Sequence, residues 1–313
     1  MNNDEILKVL KEKYNCQSAR LPRDIDFQLE QRKLYITIKR PDANMQSNEA
    51  AFEAWTLAIK AAFKDSIEEV ILFVDPEFQC ETQNYHYNRF LWRANNFREI
   101  FDWFSIGSNL EENVDRFMLE KFHDVRINQP SEERKPVINS EGERFIEYLF
   151  ASKYKAALRG KLHYDDIKNQ IPVGLFTGKV SKNNAIFSGG GSAIDLLGYK
   201  APDTLHLIEL KKGDKYGLGI ISEFLFYAFV LYNLCVRNPP VINFDGEIKV
   251  ASYKFLKDHK YKEIKGYLLV EKSHPLLDND VLKLLSQGLS RFNMDINRIV
   301  YEYDEATQMI VFK

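Results

Sequence analysis

Residues Ser192–Lys212, SAIDLLGYKAPDTLHLIELKK, decide the fold. They read as two extended segments, SAIDLLGY and LHLIELKK, joined by a turn at Lys200–Thr204 (KAPDT). Side chains of a strand alternate between faces, so Leu205, Leu207, Glu209 and Lys211 share one side. Glu209 and Lys211 therefore stand side by side where an apolar strand ends. A carboxylate emerging from such a run is costly to desolvate and needs a partner, which Lys211 or a divalent cation supplies. Asp195 lies among Ala193, Ile194, Leu196 and Leu197 in the preceding segment. Hairpin pairing brings it close to Glu209, in a register left open at this level.

Working outward, GERFIEYLFASKY (residues 142–154) is a helix with Phe145, Tyr148 and Leu149 on its apolar side and Glu143 and Glu147 one turn apart. A polar stretch follows, and VGLFTGKV (173–180) reads as the first of three strands. Beyond the decisive segment come an apolar helix over Ile220–Leu234, a strand in IKGYLLVEK (264–272) and a helix from Pro275 to Leu289. Two strands, NRIVYEY and MIVFK, close the chain around a DEAT turn. The first half opens with a short helix carrying Ile6, Leu7, Leu10 and Tyr14, with Asp4 as its cap. A strand at Leu34–Ile38, a helix over Asn48–Phe63, a strand at Val70–Val74 and a helix over Tyr87–Phe104 follow. That alternation is α/β. Between the halves, QPSEERKPVINS combines two prolines with a charge cluster. The expected domains are therefore residues 1–128 (α/β, selecting substrate or partner), a linker at 129–140, and 141–313.

The chain has 313 residues, 45% hydrophobic and 28% charged, which suits a globular protein of two domains. Its 22 Phe and 16 Tyr supply ample core. A net charge of −2 does not support a protein that coats nucleic acid by bulk electrostatics and counts mildly against nucleic-acid binding, although a local cleft can still be positive. Cys16, Cys80 and Cys235 are too far apart for a zinc or disulfide framework, which fits a reducing compartment. The N-terminus lacks a signal-like apolar run, and no uninterrupted apolar stretch of about 18 residues is read. The expected location is cytoplasmic, with no membrane partner.

Two carboxylates and a lysine at one strand end are what phosphodiester hydrolysis with magnesium requires. Magnesium prefers oxygen ligands and keeps several waters. The ion activates a water and offsets charge on the phosphate, while a lysine stabilises developing negative charge. With Asp195 on one strand and Glu209-Leu210-Lys211 on the next, residues 143–272 resemble the PD-(D/E)XK nuclease superfamily. The resemblance implies a restriction-endonuclease-like αβββαβ core beside the smaller N-terminal α/β domain. It also implies Mg2+ (or Mn2+) held by Asp195, Glu209, Glu143 and the Leu210 backbone carbonyl. Lys211 then positions the attacking water, and Glu147 is the second choice for the helix carboxylate. Glu223 and Tyr227 match a Gln-x-x-x-Tyr pattern with Glu in place of Gln and are expected to support Lys211 or the cleft wall. The Pro-Asp pair itself is absent, since Ile194 precedes Asp195.

Glu-x-Lys alone is weak, recurring at Glu133, Glu247 and Glu263. Glu263 is the strongest decoy, yet it precedes its apolar run instead of emerging from one. Gly189-Gly190-Gly191-Ser192 lacks the lysine and helix of a phosphate loop and reads as a bend beside the cleft. Lys153, Lys155, Arg159 and Lys161 are as consistent with solvated helix surface as with phosphate contacts. His206 falls on the face opposite Glu209, as a packed strand residue. Asp75-Pro76 ends a buried strand, where α/β sites often lie, without companions. The expected activity is a metal-dependent deoxyribonuclease with nucleic acid, DNA first, as partner; a homodimer stays open. The alternative is a catalytically silent nucleic-acid-binding or regulatory protein on the same fold, and a third reading makes the first half a partner-docking module.

Overall fold

The computed structural model describes residues 1–80, 84–130, 132, 142–187, 192–213 and 217–313. The glycines 189–191, Glu133 and most of the expected linker lie outside them. Two compact units emerge. The first comprises Met1–Phe122, Gly217–Leu225 and His274–Gly288; the second comprises His123–Tyr216, Phe226–Ser273 and Leu289–Lys313.

In the first unit, helix α1 (Asn3–Lys13) is capped by Asn2, not Asp4. The Asn2 side chain accepts from the amides of Asp4 and Glu5, and Glu5 reaches back to the Asn2 amide. Strands β1 (Ile25–Glu30) and β2 (Lys33–Ile38) form a hairpin, to which β3 (Glu69–Val74) and β4 (Phe104–Ile106) add in parallel. Helix α2 (Phe52–Phe63) connects β2 to β3, α3 (Tyr85–Ile100) connects β3 to β4, and α4 (Ser108–Lys121) follows. The helix expected over Tyr87–Phe104 thus stops at Ile100. Phe104 instead opens an extra strand, its ring 4.7 Å from that of Phe97.

The second unit begins with β5 (Val125–Ile127), α5 (Glu143–Ala151), α6 (Lys155–Leu162), β6 (Asp166–Pro172) and β7 (Leu175–Thr177). It continues with β8 (Ala193–Lys200) and β9 (Thr204–Lys211). Helix α7 (Gly219–Leu231) begins in the first unit and ends in the second. Then come β10 (Ile242–Phe244), α8 (Phe255–Asp258) and β11 (Glu263–Val270). Helix α9 (Asn279–Leu289) precedes β12 (Met294–Asp304) and β13 (Met309–Phe312). The large sheet has the order β13-β12-β11-β9-β8-β6. Strands β6, β8 and β9 are antiparallel neighbours, whereas β11 runs parallel to β9.

Two expectations are corrected here. The first strand of the meander is Asp166–Pro172, not VGLFTGKV, whose Leu175–Thr177 pairs with β5 in a small sheet. β6 is an edge strand with only Ile167 and Ile171 buried, so its sequence looks polar. The division of the chain also differs from 1–128, 129–140 and 141–313. Val125–Ile127 belongs to the second unit, and Gly217–Leu225 and His274–Gly288 belong to the first.

A buried ion pair explains why Gly217–Leu225 joins the first unit. Arg93 Nε donates to Glu53 Oε1 at 2.7 Å, and the two side chains are only 3% and 1% exposed. Ser222 Oγ donates to Glu53 Oε2 at 2.8 Å, and Arg93 Nη2 lies 3.0 Å from that hydroxyl. The Leu218 amide donates to Asn48 Oδ1 at 2.8 Å. Gly219 is required there, since a Cβ would fall 2.1 Å from the Gln46 carbonyl oxygen. Gly219–Val236 does reach the length and hydropathy of a membrane span, but 83% of it is buried within the protein. It is a core helix.

The register separates Glu209 from its decoy. Glu263 pairs with Thr204 at the start of β9, whereas Glu209 pairs with Leu268 near the other end. His206 is 3% exposed, stacked on Tyr267 and edge-on to Tyr164, and desolvation lowers its pKa to about 4.

Removing the cation of a buried pair strands its carboxylate, at a cost of about 3–5 kcal/mol. Arg93→Ala is therefore expected to lower stability by that order in denaturant titration. A loss under about 1 kcal/mol, the scale of exposed pairs, would show that Glu53 and Ser222 do not depend on it.

Candidate metal centre

The site lies where the hairpin of β8 and β9 opens. Antiparallel pairing runs from Lys200–Thr204 to Leu196–Ile208 and stops there. Continued one step, that register sets Asp195 opposite Glu209. Here, however, the Asp195 side chain takes over from the backbone, and its Oδ2 accepts from the Leu210 amide at 2.9 Å. The N–H and C=O of one strand residue point to the same side, so the Leu210 carbonyl turns into the same gap. Asp195 is 7% exposed.

Helix α5 closes the site. Phe145, Ile146, Leu149 and Phe150 pack it on Leu196, Ile208 and Leu210. Glu143 and Glu147, four residues apart, share a face of this helix. One carboxylate oxygen from each lies within 4.8 Å of the others and of one from Asp195. Glu147 is 1% exposed, while Glu143 sits at the solvent boundary. The choice between the two glutamates dissolves, because both face Asp195.

Glu209 stands outside this trio. Ile208 and Leu210 belong to the core beneath α5, which turns Glu209 and Lys211 to the other face. Lys211 is the last residue of its strand and reaches back. Its Nζ donates to Glu209 Oε1 at 2.9 Å and to Glu143 Oε1 at 3.3 Å. Glu143 Oε2 also accepts from the Lys212 amide at 3.3 Å. The expected set of Asp195, Glu209, Lys211 and Glu143 is therefore assembled. In it Glu209 orients the lysine, and Glu147 takes the place expected of Glu209 beside the other two acids.

The supporting pair divides. Glu223 lies in the first unit, where Gln46 Nε2 donates to its Oε1. Tyr227 is buried in the second unit, its ring edge-on to Phe226. Among the basic residues of α6 and its approach, Lys155 pairs with Asp166, and Lys153 and Lys161 donate to the carbonyls of Gln308 and Lys313.

Two contributors escaped the sequence. Gln170 sits in β6 at φ +53°, in a break of the ladder to β8 between Asn169 and Ile171. Its Nε2 donates to Glu147 Oε2 at 2.5 Å. A non-glycine residue held left-handed inside a strand is strained, and such strain clusters at functional sites. Tyr301 is the other; its hydroxyl donates to the Lys211 carbonyl at 3.2 Å.

Four carboxylates gather around one ammonium, with little solvent to screen them. Burial first, then the charges of Asp195 and Glu143, push the Glu147 carboxyl up to about 8 against the opposing Gln170 and Lys211. A divalent cation among Glu143, Glu147 and Asp195 would offset the excess charge that the protein otherwise suppresses by holding a proton. The all-oxygen donor set suits a hard ion such as Mg2+ or Mn2+. No protein-family model, curated protein or solved structure matches this chain.

A carboxyl whose pKa is raised on folding holds a proton that the unfolded chain releases. Its contribution is complete below the unfolded pKa of 4.5 and is lost as pH rises through about 8. Each pKa unit is worth about 1.4 kcal/mol. Metal-free protein is therefore expected to lose stability between pH 5 and 9, with the slope reduced in Glu147→Gln and saturating Mn2+ restoring more at pH 8 than at pH 5. Parallel pH profiles for the parent and Glu147→Gln chains in thermal melts would refute the coupling.

Proposed function

We propose that the chain is a divalent-metal-dependent nuclease that hydrolyses phosphodiester bonds, DNA being the first substrate to test, on a PD-(D/E)XK core. The observation that carries this reading is the meeting of Lys211 Nζ, Glu209, Glu143 and Asp195 where the hairpin opens. The order helix α5, antiparallel β6, β8 and β9, helix α7 and parallel β11 supports the same reading.

Glu143, Glu147 and Asp195, with the Leu210 carbonyl, would hold the cation. When bound, it lowers the pKa of a water and offsets charge gathering on the phosphate. Lys211 is oriented from both sides by Glu209 and Glu143, which fixes the ammonium before substrate arrives. Donors set in advance stabilise developing charge without reorganising. The Leu210 amide holds Asp195 so that its carboxylate does not swing away. Gln170 does the same for Glu147.

Plasmid, single-stranded DNA and RNA incubated with and without Mn2+ test this. Parent chain and Glu263→Gln are expected to cleave at least one of them only with metal. Asp195→Asn and Lys211→Ala should fall by at least about 100-fold, the scale of losing one preorganised charge-stabilising group. Cleavage equal in the parent and both variants would remove the proposal, and a parent chain inert on all three would favour the silent nucleic-acid-binding alternative.

A further inference from the structure

In the first unit the parallel strands β2, β3 and β4 end at one edge of their sheet, and a groove of about 820 Å³ opens beside the end of β3. Open α/β sheets bind ligands outside the carboxyl ends of their strands. The volume lies within the roughly 300–1,000 Å³ of small-molecule sites. Val74 and Asp75 form the floor; the first turns of α3 and one face of α4 form the walls. The companions that Asp75 lacks in the sequence are thus brought by two helices that follow it in the chain.

The walls combine apolar side chains, Phe78, Leu91 and Phe117 among them, with a few polar groups. Helix α4 turns Leu110 and Val114 into the core, which leaves Asn109, Asn113, Arg116, Phe117 and Glu120 along the groove. Arg116 Nη2 donates to Asn113 Oδ1 at 2.7 Å, so the guanidinium is steered by its neighbour. Asn84 caps α3, its Oδ1 accepting from the amides of His86 and Tyr87, which directs its amide nitrogen away from the helix. Tyr87 is half-buried, its ring 5.3 Å from that of Phe78 and stacked on Phe90 at 6.2 Å. Both helices start at this edge, and their N-terminal ends favour negative charge.

We propose that this groove binds a nucleotide. The Arg116 guanidinium takes the phosphate, the Asp75 carboxylate accepts from sugar hydroxyls, the apolar lining of Phe78, Tyr87 and Leu91 receives the base, and the carboxamides of Asn84 and Asn113 meet its edges. A bare anion would be opposed by Asp75 and Glu120, a neutral sugar would make no use of Arg116, and an apolar ligand would strand the amides. The groove and the metal centre share no residue, and nucleotide binding does not require the metal.

Calorimetric titration of the full chain with the four ribonucleoside monophosphates, adenosine and inorganic phosphate tests this. At least one monophosphate is expected to bind saturably and at least tenfold more tightly than adenosine or phosphate. Its affinity should fall at least tenfold in Arg116→Ala and in Asn113→Leu. Arg116 is exposed and Asn113 half-buried, and circular dichroism verifies the fold. Asp195→Asn should bind as the parent does, whether or not the chain cleaves nucleic acid, which keeps this outcome apart from that of the nuclease proposal. No saturable binding of any monophosphate, phosphate binding as tightly, or affinity unchanged in both variants would overturn the inference.

Discussion

The hydrogen bond from the Leu210 amide to Asp195 ends one regular structure and begins a functional one. Up to Leu196 and Ile208 the two strands satisfy each other through the backbone. Beyond that pair the strands open, and a side chain takes the place of a missing carbonyl. A buried amide must be satisfied, so the carboxylate is held in the gap instead of turning to solvent. Helix α5 then brings two more acids to the same spot, and Lys211 is the cation that reaches them. In the resulting cluster, burial and the charges of Asp195 and Glu143 push the Glu147 carboxyl up. A proton on Glu147 relieves that charge, and the three carboxylates of Glu143, Glu147 and Asp195 form a group that could hold a divalent ion instead.

Much of this was legible from the residues. Apolar runs that end in a charged residue identified the hairpin, and Asp195, Glu209, Lys211, Glu143 and Glu147 do assemble. Alternation separated His206 from Glu209, and the position of Glu263 before its apolar run placed it at the opposite end of the sheet. What alternation could not give is how the strand ends. Lys211 is long enough to reach back around an edge that Glu209 does not pass, so a shared face did not mean a shared ligand role.

The misreadings have physical causes as well. β6 hides because an edge strand needs few apolar residues, and because the left-handed Gln170 breaks its alternation. The boundary between the units was read from a proline-rich, charged stretch, but unit membership is settled by buried pairs formed across long separations. Glu53, Arg93 and Ser222 are such a set, and no local pattern announces them. The groove at Asp75 was invisible for the same reason, since its walls come from α3 and α4, and α4 was not foreseen.

Everything proposed for the second unit depends on the acid cluster accepting a cation. Anomalous scattering from crystals soaked in Mn2+ measures this directly. The expected result is a strong peak roughly 2.0–2.2 Å from carboxylate oxygens of Asp195 and at least one of Glu143 and Glu147. Saturating Mn2+ that leaves no peak there, or a peak only at other residues, would contradict it.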